Sequence, residues 1–216
     1  MRFACLLLLI AASPAWADDD DDKAKPITEP EHQSRRLDHD GQFGLSVRFA
    51  DGVRAVTTYE DSTYCGKSDA TTSSGYAPVC VGRTPFQVQL EASYGVKRKL
   101  DVFAELRLGI EADFGASPTM DNGPHIVSLS PGLRVFYSEG RQSKLFSTAQ
   151  LLFDFSSYKD ASGIAKSSDF GVRNLNGLWF ELDRSYAAYV YVGETLTFVR
   201  WLDFSLEAGA GFQVRY

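Results

Sequence analysis

The side chains able to do chemistry are few in this sequence, and their spacing does not suit catalysis. His125 and Ser128 are the nearest base and nucleophile. A spacing of three puts them on opposite faces of an extended strand, and His125 lies in a Pro- and Gly-containing loop. A nucleophile needs its base within hydrogen-bond reach. Glu105 and Glu111 share a face of an extended strand but stand about 20 Å apart along it, too far for an acid/base dyad. No Gly-rich phosphate loop leads into a helix. Asp18 to Asp22 are consecutive and lack the spaced ligands of a calcium loop. His32 and His39 are isolated and expected in solvent. The sequence therefore offers no catalytic residue, no metal site and no cofactor site.

Cys65 and Cys80 are a different case. They flank a segment rich in Gly, Ser, Thr and Asp. If paired, they close a loop of about 15 residues, worth about 3 kcal/mol in the chain-entropy view. The pairing needs an oxidising compartment, and the N-terminus points to one. Residues 1–17 read as a secretory signal: Arg2, an apolar stretch from Phe3 to Ala12, then the small-x-small site Ala15-Trp16-Ala17. Residues 18–40 are an acidic, proline-containing leader expected to be disordered.

The elements that must position everything else lie in residues 41–216. The chain has 216 residues, 44% hydrophobic and 23% charged, with a formal net charge of −6. That balance gives no basic footprint for nucleic acid, and no stretch is long and apolar enough for a spanning helix. From Gly41 onward the hydrophobic period is two. In the last segment Leu202, Phe204, Leu206, Ala208, Ala210, Phe212, Val214 and Tyr216 alternate with Asp203, Ser205, Glu207, Gly209, Gly211, Gln213 and Arg215. Similar segments start near Gln42, Phe86, Leu100, Val127 and Leu145. Two more, about 170–183 and 186–198, are rich in β-formers but interrupted by Asn174, Asn176, Gly177 and Glu194. Gly177 is a candidate bulge that switches faces.

Eight strands result, joined by connections that mostly alternate long and short: about 52–84, 97–99, 112–125, 138–143, 156–170 and 183–186. The last, around Arg200 and Trp201, is short where a long one is due. Aromatic residues fall near strand ends on the apolar phase. These are the features of a transmembrane barrel, in which a sheet closes on itself because lipid cannot satisfy backbone polar groups. Alternation alone also fits a soluble periplasmic ligand-binding barrel with its apolar face inside.

The signal segment, the eight strands and the closing Gly211-Phe212-Gln213-Val214-Arg215-Tyr216 resemble the small outer-membrane barrels of Gram-negative bacteria, similar in plan to the OmpA/OmpX-like proteins. The resemblance implies an all-β, eight-stranded, antiparallel up-and-down transmembrane barrel in the cell outer membrane. It implies outer-membrane lipid and the assembly machinery as partners, with Phe212, Val214 and Tyr216 as the assembly signal.

An eight-stranded barrel is filled by side chains. The expected inward set is Arg48, Glu91, Asp101, Glu105, Arg107, Arg134, Asp154, Glu207 and Arg215. Five acids face four bases, which predicts a nearly neutral network of ion pairs plugging the lumen. Glu105 with Arg107 is one such pair. A narrow ion path or a small-ligand pocket is the sharper alternative. The expected function is structural or surface-interacting and non-enzymatic, with extracellular contacts made by the loops. A lipid-modifying enzyme is the remaining alternative, and only His125 and Ser128 speak for it.

Overall fold

Val, Leu, Ile, Phe and Tyr at every second position favour extended chain, and the structure realises this almost throughout. The computed structural model describes residues 38–57, 79–111, 126–138, 141–159 and 165–216. It contains β1 (Phe43–Thr57), β2 (Cys80–Lys97), β3 (Leu100–Gly109), β4 (Val127–Phe136), β5 (Ser143–Lys159), β6 (Ala165–Glu181), β7 (Tyr186–Thr197) and β8 (Leu202–Arg215). Sequential strands pair antiparallel, and β1 pairs with β8 to close the barrel. The seam runs from Gly44 opposite Arg215 to Thr57 opposite Leu202. Phe43 and Tyr216 add two reciprocal backbone bonds at 3.1 and 2.9 Å. Closure leaves no edge strand.

Three local features differ from the sequence expectation. β1 and β2 run well into the segment 52–84, which reads as loop. The reason is a bulge in β2 opposite Ala50 and Gly52. Thr84 and Pro85 are both buried there, so the alternation slips by one residue. Proline is tolerated at such a site because no ladder donor is needed. β5 and β6 likewise extend through most of 156–170, with a register shift between Asp154 and Ser157. Gly177 makes no bulge. Its register is continuous, opposite Phe146 and Tyr191. It is a point of close approach, where a Cβ would meet the Val190 carbonyl oxygen at 2.2 Å and the Phe146 ring at 2.7 Å.

The two faces of the sheet have opposite character. Leu45, Val47, Leu90, Val102, Leu133, Leu151, Val190 and Leu206 point out and are exposed, while Arg48, Gln89, Glu105 and Arg134 point in and are fully buried. A soluble barrel needs the reverse, so the periplasmic ligand-binding alternative is excluded. Aromatic pairs mark both rims. Phe49 stacks on Phe86 with centroids 6.1 Å apart, and Phe170 packs on Phe153 and Phe198 at 5.3 and 5.7 Å. At the other rim Tyr186 stacks on Phe212 at 5.9 Å. On β6 the outward rings Phe170 and Phe180 are separated by about 33 Å of strand, which a tilted strand turns into the roughly 25 Å apolar height of a spanning barrel.

The rim holding Phe49 and Phe170 carries the long connections and is extracellular in barrels of this plan; the rim with the short turns, where β1 begins and β8 ends, is periplasmic. Above the extracellular ring, Asp51, Arg83 and Glu111 form a surface cluster, with Arg83 on Asp51 at 3.0 Å and on Glu111 at 3.2 Å. The hydrogen bond from Arg83 holds the Asp51 carboxyl below the usual carboxylate range. Glu111 lies past the end of β3 and on the surface, so it does not share the inner face with Glu105.

Leu90 lies midway between Phe86 and Tyr94 on the outer face of β2. Leu90→Arg is expected to destabilise the barrel by about 2–4 kcal/mol, read by urea unfolding in lipid vesicles.

Candidate functional site

Among the described residues, reactive groups concentrate in the lumen. Inward-facing charges come from seven of the eight strands, all but β7, and from the turn before β8. Among the described residues, eight acids (Glu91, Asp101, Glu105, Asp154, Asp169, Glu181, Asp203, Glu207) stand against eight bases (Arg48, Arg54, Arg107, Arg134, Lys144, Arg173, Arg200, Arg215). These sixteen balance formally, and the turn before β1 adds buried Asp38 and His39.

The middle layer is an interlocked set of ion pairs. Arg48 pairs with Glu105 and lies 3.3 Å from Glu91. Arg134 reaches Glu91 at 2.5 Å and Asp101 at 3.6 Å. Arg173 pairs with both Glu105 and Glu207 and donates to Gln89 at 3.2 Å. Arg107 donates to Gln87 at 2.6 Å and to Glu207 at 3.1 Å. Glu91, Glu105 and Glu207 each serve at least two guanidiniums, so these buried charges are shared rather than isolated. Glu105 and Arg107 stand 3.9 Å apart; the closer partners of Glu105 are Arg48 and Arg173.

Toward the periplasm the lumen turns aromatic. Trp179 and Tyr189 stack at 4.5 Å with nearly parallel rings, and Phe136 and Phe146 stand edge-on to Trp179. The Arg134 guanidinium lies 5.0 Å from the centroids of both Trp179 and Phe103, a cation–π arrangement that suits a buried arginine. Glu181 is the hub at this end. It accepts from Trp179 Nε1 at 2.9 Å, from Lys144 at 3.2 Å and from Arg215.

His39 completes the hub, and its place departs from expectation. Read from sequence it belongs in solvent; here it is 1% exposed. Its Nδ1 lies 3.0 Å from Asp101 and its Nε2 3.0 Å from Glu181, so the ring stands within hydrogen-bond reach of both carboxylates. The ring also packs on Phe136 at 4.1 Å. A short turn holds it there. Gly41 adopts a φ of +73°, its N–H donates to the Gly95 carbonyl at 2.9 Å, and Gly95 N–H donates to Gln42. A Cβ on Gly95 would meet the His39 carbonyl oxygen at 1.7 Å.

At the extracellular end the turn between β7 and β8 bends inward. Val199 and Arg200 donate backbone N–H groups to Asp169 at 2.8 and 3.1 Å. The Arg200 guanidinium reaches Asp154 at 2.7 Å and the Ser156 carbonyl at 2.8 Å. Trp201 is buried. This pinning accounts for a short connection where a long one is due. Beneath it lies a cavity of about 50 Å³ lined by Arg54, Gln87, Arg107, Thr195 and Asp203.

The structure thus puts Arg48, Glu91, Asp101, Glu105, Arg107, Arg134, Glu207 and Arg215 inside and buried, and Asp154 half-buried at the extracellular rim. Arg173, Glu181 and Lys144 join them unannounced by the sequence reading. The faces of β6 were illegible because Asn174 and Asn176 point outward while Leu175 and Trp179 point inward. Anchoring parity on Phe170, Val172, Leu178 and Phe180 would have found Arg173 and Glu181. Ser128 is buried in the lumen and does not face lipid; His125 lies outside the described residues. So does Cys65, and of Cys80 only the backbone, at the start of β2, is described. Phe212 and Tyr216 are exposed on the outer face, and Val214 shares that face.

An apolar outer wall about as tall as a bilayer, closed around charge, is decisive. This is the fold of a small outer-membrane β-barrel. The crystal structure of Neisserial surface protein A superposes with a TM-score of 0.54 at 14% identity, covering 82% of this chain and 100% of that one. The N-terminal barrel of Pseudomonas aeruginosa OprF follows at 0.49 and 9%, covering 82% and 99%. The Yersinia pestis attachment invasion locus protein Ail gives 0.47 and 14%, covering 81% and 99%. These likenesses concern the fold. No protein-family model matches the chain, and no curated relative matches it in sequence. The protein is a component of the outer membrane, where a wall of this polarity is at its free-energy minimum.

Two stability measurements test the lumen. Arg173→Met is expected to cost roughly 3–5 kcal/mol by stranding Glu105 and Glu207. Glu105→Gln in that background is then expected to cost less than alone, with a coupling energy of about 1 kcal/mol or more; additive effects would contradict the shared-pair description. His39→Ala is expected to destabilise by about 2–3 kcal/mol through loss of two hydrogen bonds to charged partners, read by urea unfolding in vesicles.

Proposed function

We propose that the protein is a closed, non-enzymatic outer-membrane barrel that carries surface loops rather than conducting solutes or transforming lipid. The observation that carries this reading is the continuity of the lumen filling. His39 and the Glu181 hub stand at the periplasmic end, Arg48, Arg134 and Arg173 with their carboxylates in the middle, and the Arg200–Trp201 turn at the extracellular end. The cavity under that turn suits a few water molecules, not an organic ligand. A plug of mutually paired charges is also what a barrel of this width requires for stability.

The segments joining the strands at the extracellular rim, above all 58–79, then carry any surface contact. Tyr59, Tyr64 and Tyr76 among small polar residues are the composition of an adaptable contact surface, and a Cys65–Cys80 disulfide would hold that loop. The proposal includes residues 1–17 as the export signal, 18–37 as a solvated leader, and Phe212, Val214 and Tyr216 as the signal read by the assembly machinery.

Reconstitution into planar bilayers tests the closed lumen. The wild-type barrel is expected to give no steady conductance, and Glu105→Ala with Arg173→Ala to give small, frequent openings. Steady channels from the wild type would replace this reading with a narrow ion path.

A further inference from the structure

The outer face carries one feature that a lipid-facing wall does not explain. On β6, Asn174 and Asn176 point outward midway between Phe170 and Phe180, and so lie at the centre of the apolar band. Glu194 on β7 is the cross-strand partner of Asn174, also points outward and is exposed. Ser147 on β5 is the partner of Asn176. Three of the four, Ser147, Asn176 and Asn174, form one hydrogen-bonded track with Tyr137 at the periplasmic rim. Tyr137 Oη donates to Ser147 at 2.9 Å, Ser147 Oγ donates to Asn176, and Asn176 Nδ2 donates to Asn174. Asn174 Nδ2 donates to the Thr148 carbonyl at 2.6 Å. Glu194 has no hydrogen bond or ion pair among the described residues.

Carboxamides and a carboxylate at mid-bilayer depth are costly against acyl chains. The lumen does not need them there, since its own charges balance. A partner within the membrane removes the cost, and it must present complementary groups at the same depth. We propose that this face of β5, β6 and β7 is an interface with a second copy of the chain.

The argument is one of complementarity. Two copies inserted in the same direction are related by a two-fold axis along the membrane normal, which brings equal depths together. A carboxamide both donates and accepts, so Asn176 can pair with its own counterpart. Asn174 and Glu194 sit side by side on one rung, and the two-fold lays the Asn174 of one copy against the Glu194 of the other. Each acceptor then meets a donor. Ala149, opposite Asn174, keeps the surface low, and small residues beside polar ones favour close approach in membranes.

Cysteine cross-linking in native outer membranes tests this, using the full-length protein. Val192→Cys lies outward beside Asn176; Leu90→Cys lies on the outer face of β2, on the opposite side of the eight-stranded ring. With a thiol oxidant, Val192→Cys is expected to give a band at twice the protein's mass, at least tenfold stronger than Leu90→Cys. Ala149→Cys provides a second position if Val192→Cys fails to show the heat-dependent gel shift of a folded barrel. The combined Asn174→Leu, Asn176→Leu, Glu194→Leu variant, folded by the same gel shift, is expected to lose the dimer band at least tenfold. Equal cross-linking at Val192 and Leu90, a dimer that survives the triple substitution, or a cross-linked band of another mass would each overturn the proposal.

Discussion

Everything in this molecule depends on the hydrogen bonds between β1 and β8. In a bilayer no solvent replaces a missing backbone partner, so a sheet with an open edge has no stable place in the membrane. Joining Gly44–Thr57 to Leu202–Arg215 removes both edges at once and divides the side chains into two sets. The outward set must be apolar. The inward set must fill a space only wide enough for side chains. With polar groups excluded from most of the outer wall, the charged residues of the strands are forced inward, and they must pair there. The lumen network is thus a consequence of closure before it is anything else.

How those charges pair is set by strand register. Glu91 and Glu105 face one another across β2 and β3, an arrangement of like charges that would repel if left alone. Arg48 approaches from β1 and bridges the two, while Arg134 approaches from β4 and binds Glu91. Arg173 enters from across the barrel to bind Glu105 and Glu207 together. Removing one arginine therefore affects two carboxylates. The aromatic layer below does a related job: Trp179 and Phe103 give Arg134 a second set of favourable contacts where carboxylates are fewer.

The barrel and most of its lumen were legible in the sequence because the period of two is strict over β1, β3, β4 and β8. Strand extent was less legible. At Pro85 and between Asp154 and Ser157 the alternation slips by a residue, and a slip looks like a loop when only the pattern is visible. β6 was opaque for a different reason: hydrophobic Leu175 and Trp179 lie inside while Asn174 and Asn176 lie outside, so polarity no longer reports facing. His39 left no pattern at all. A single residue placed by one turn and by the absence of a side chain at Gly95 has no periodicity to reveal it.

Pieces of the chain that are not strand reach into both ends of the lumen. At the periplasmic end it is a turn preceding β1, with His39 between Asp101 and Glu181. At the extracellular end it is the turn between β7 and β8, held by Asp169 and Asp154. In each case a carboxylate on an inward strand position receives donors from a segment that would otherwise be free to move. A strand position can therefore supply an unmatched carboxylate without penalty, provided a neighbouring turn brings the donor. The eight inward carboxylates of the strands accordingly face seven strand bases, and Arg200 of the extracellular turn supplies the eighth. That division of labour also gives the barrel two inward turns whose contacts, Asp101 with His39 and Asp169 with the Val199 and Arg200 backbone, lie outside the sheet ladder and can loosen separately from the global fold.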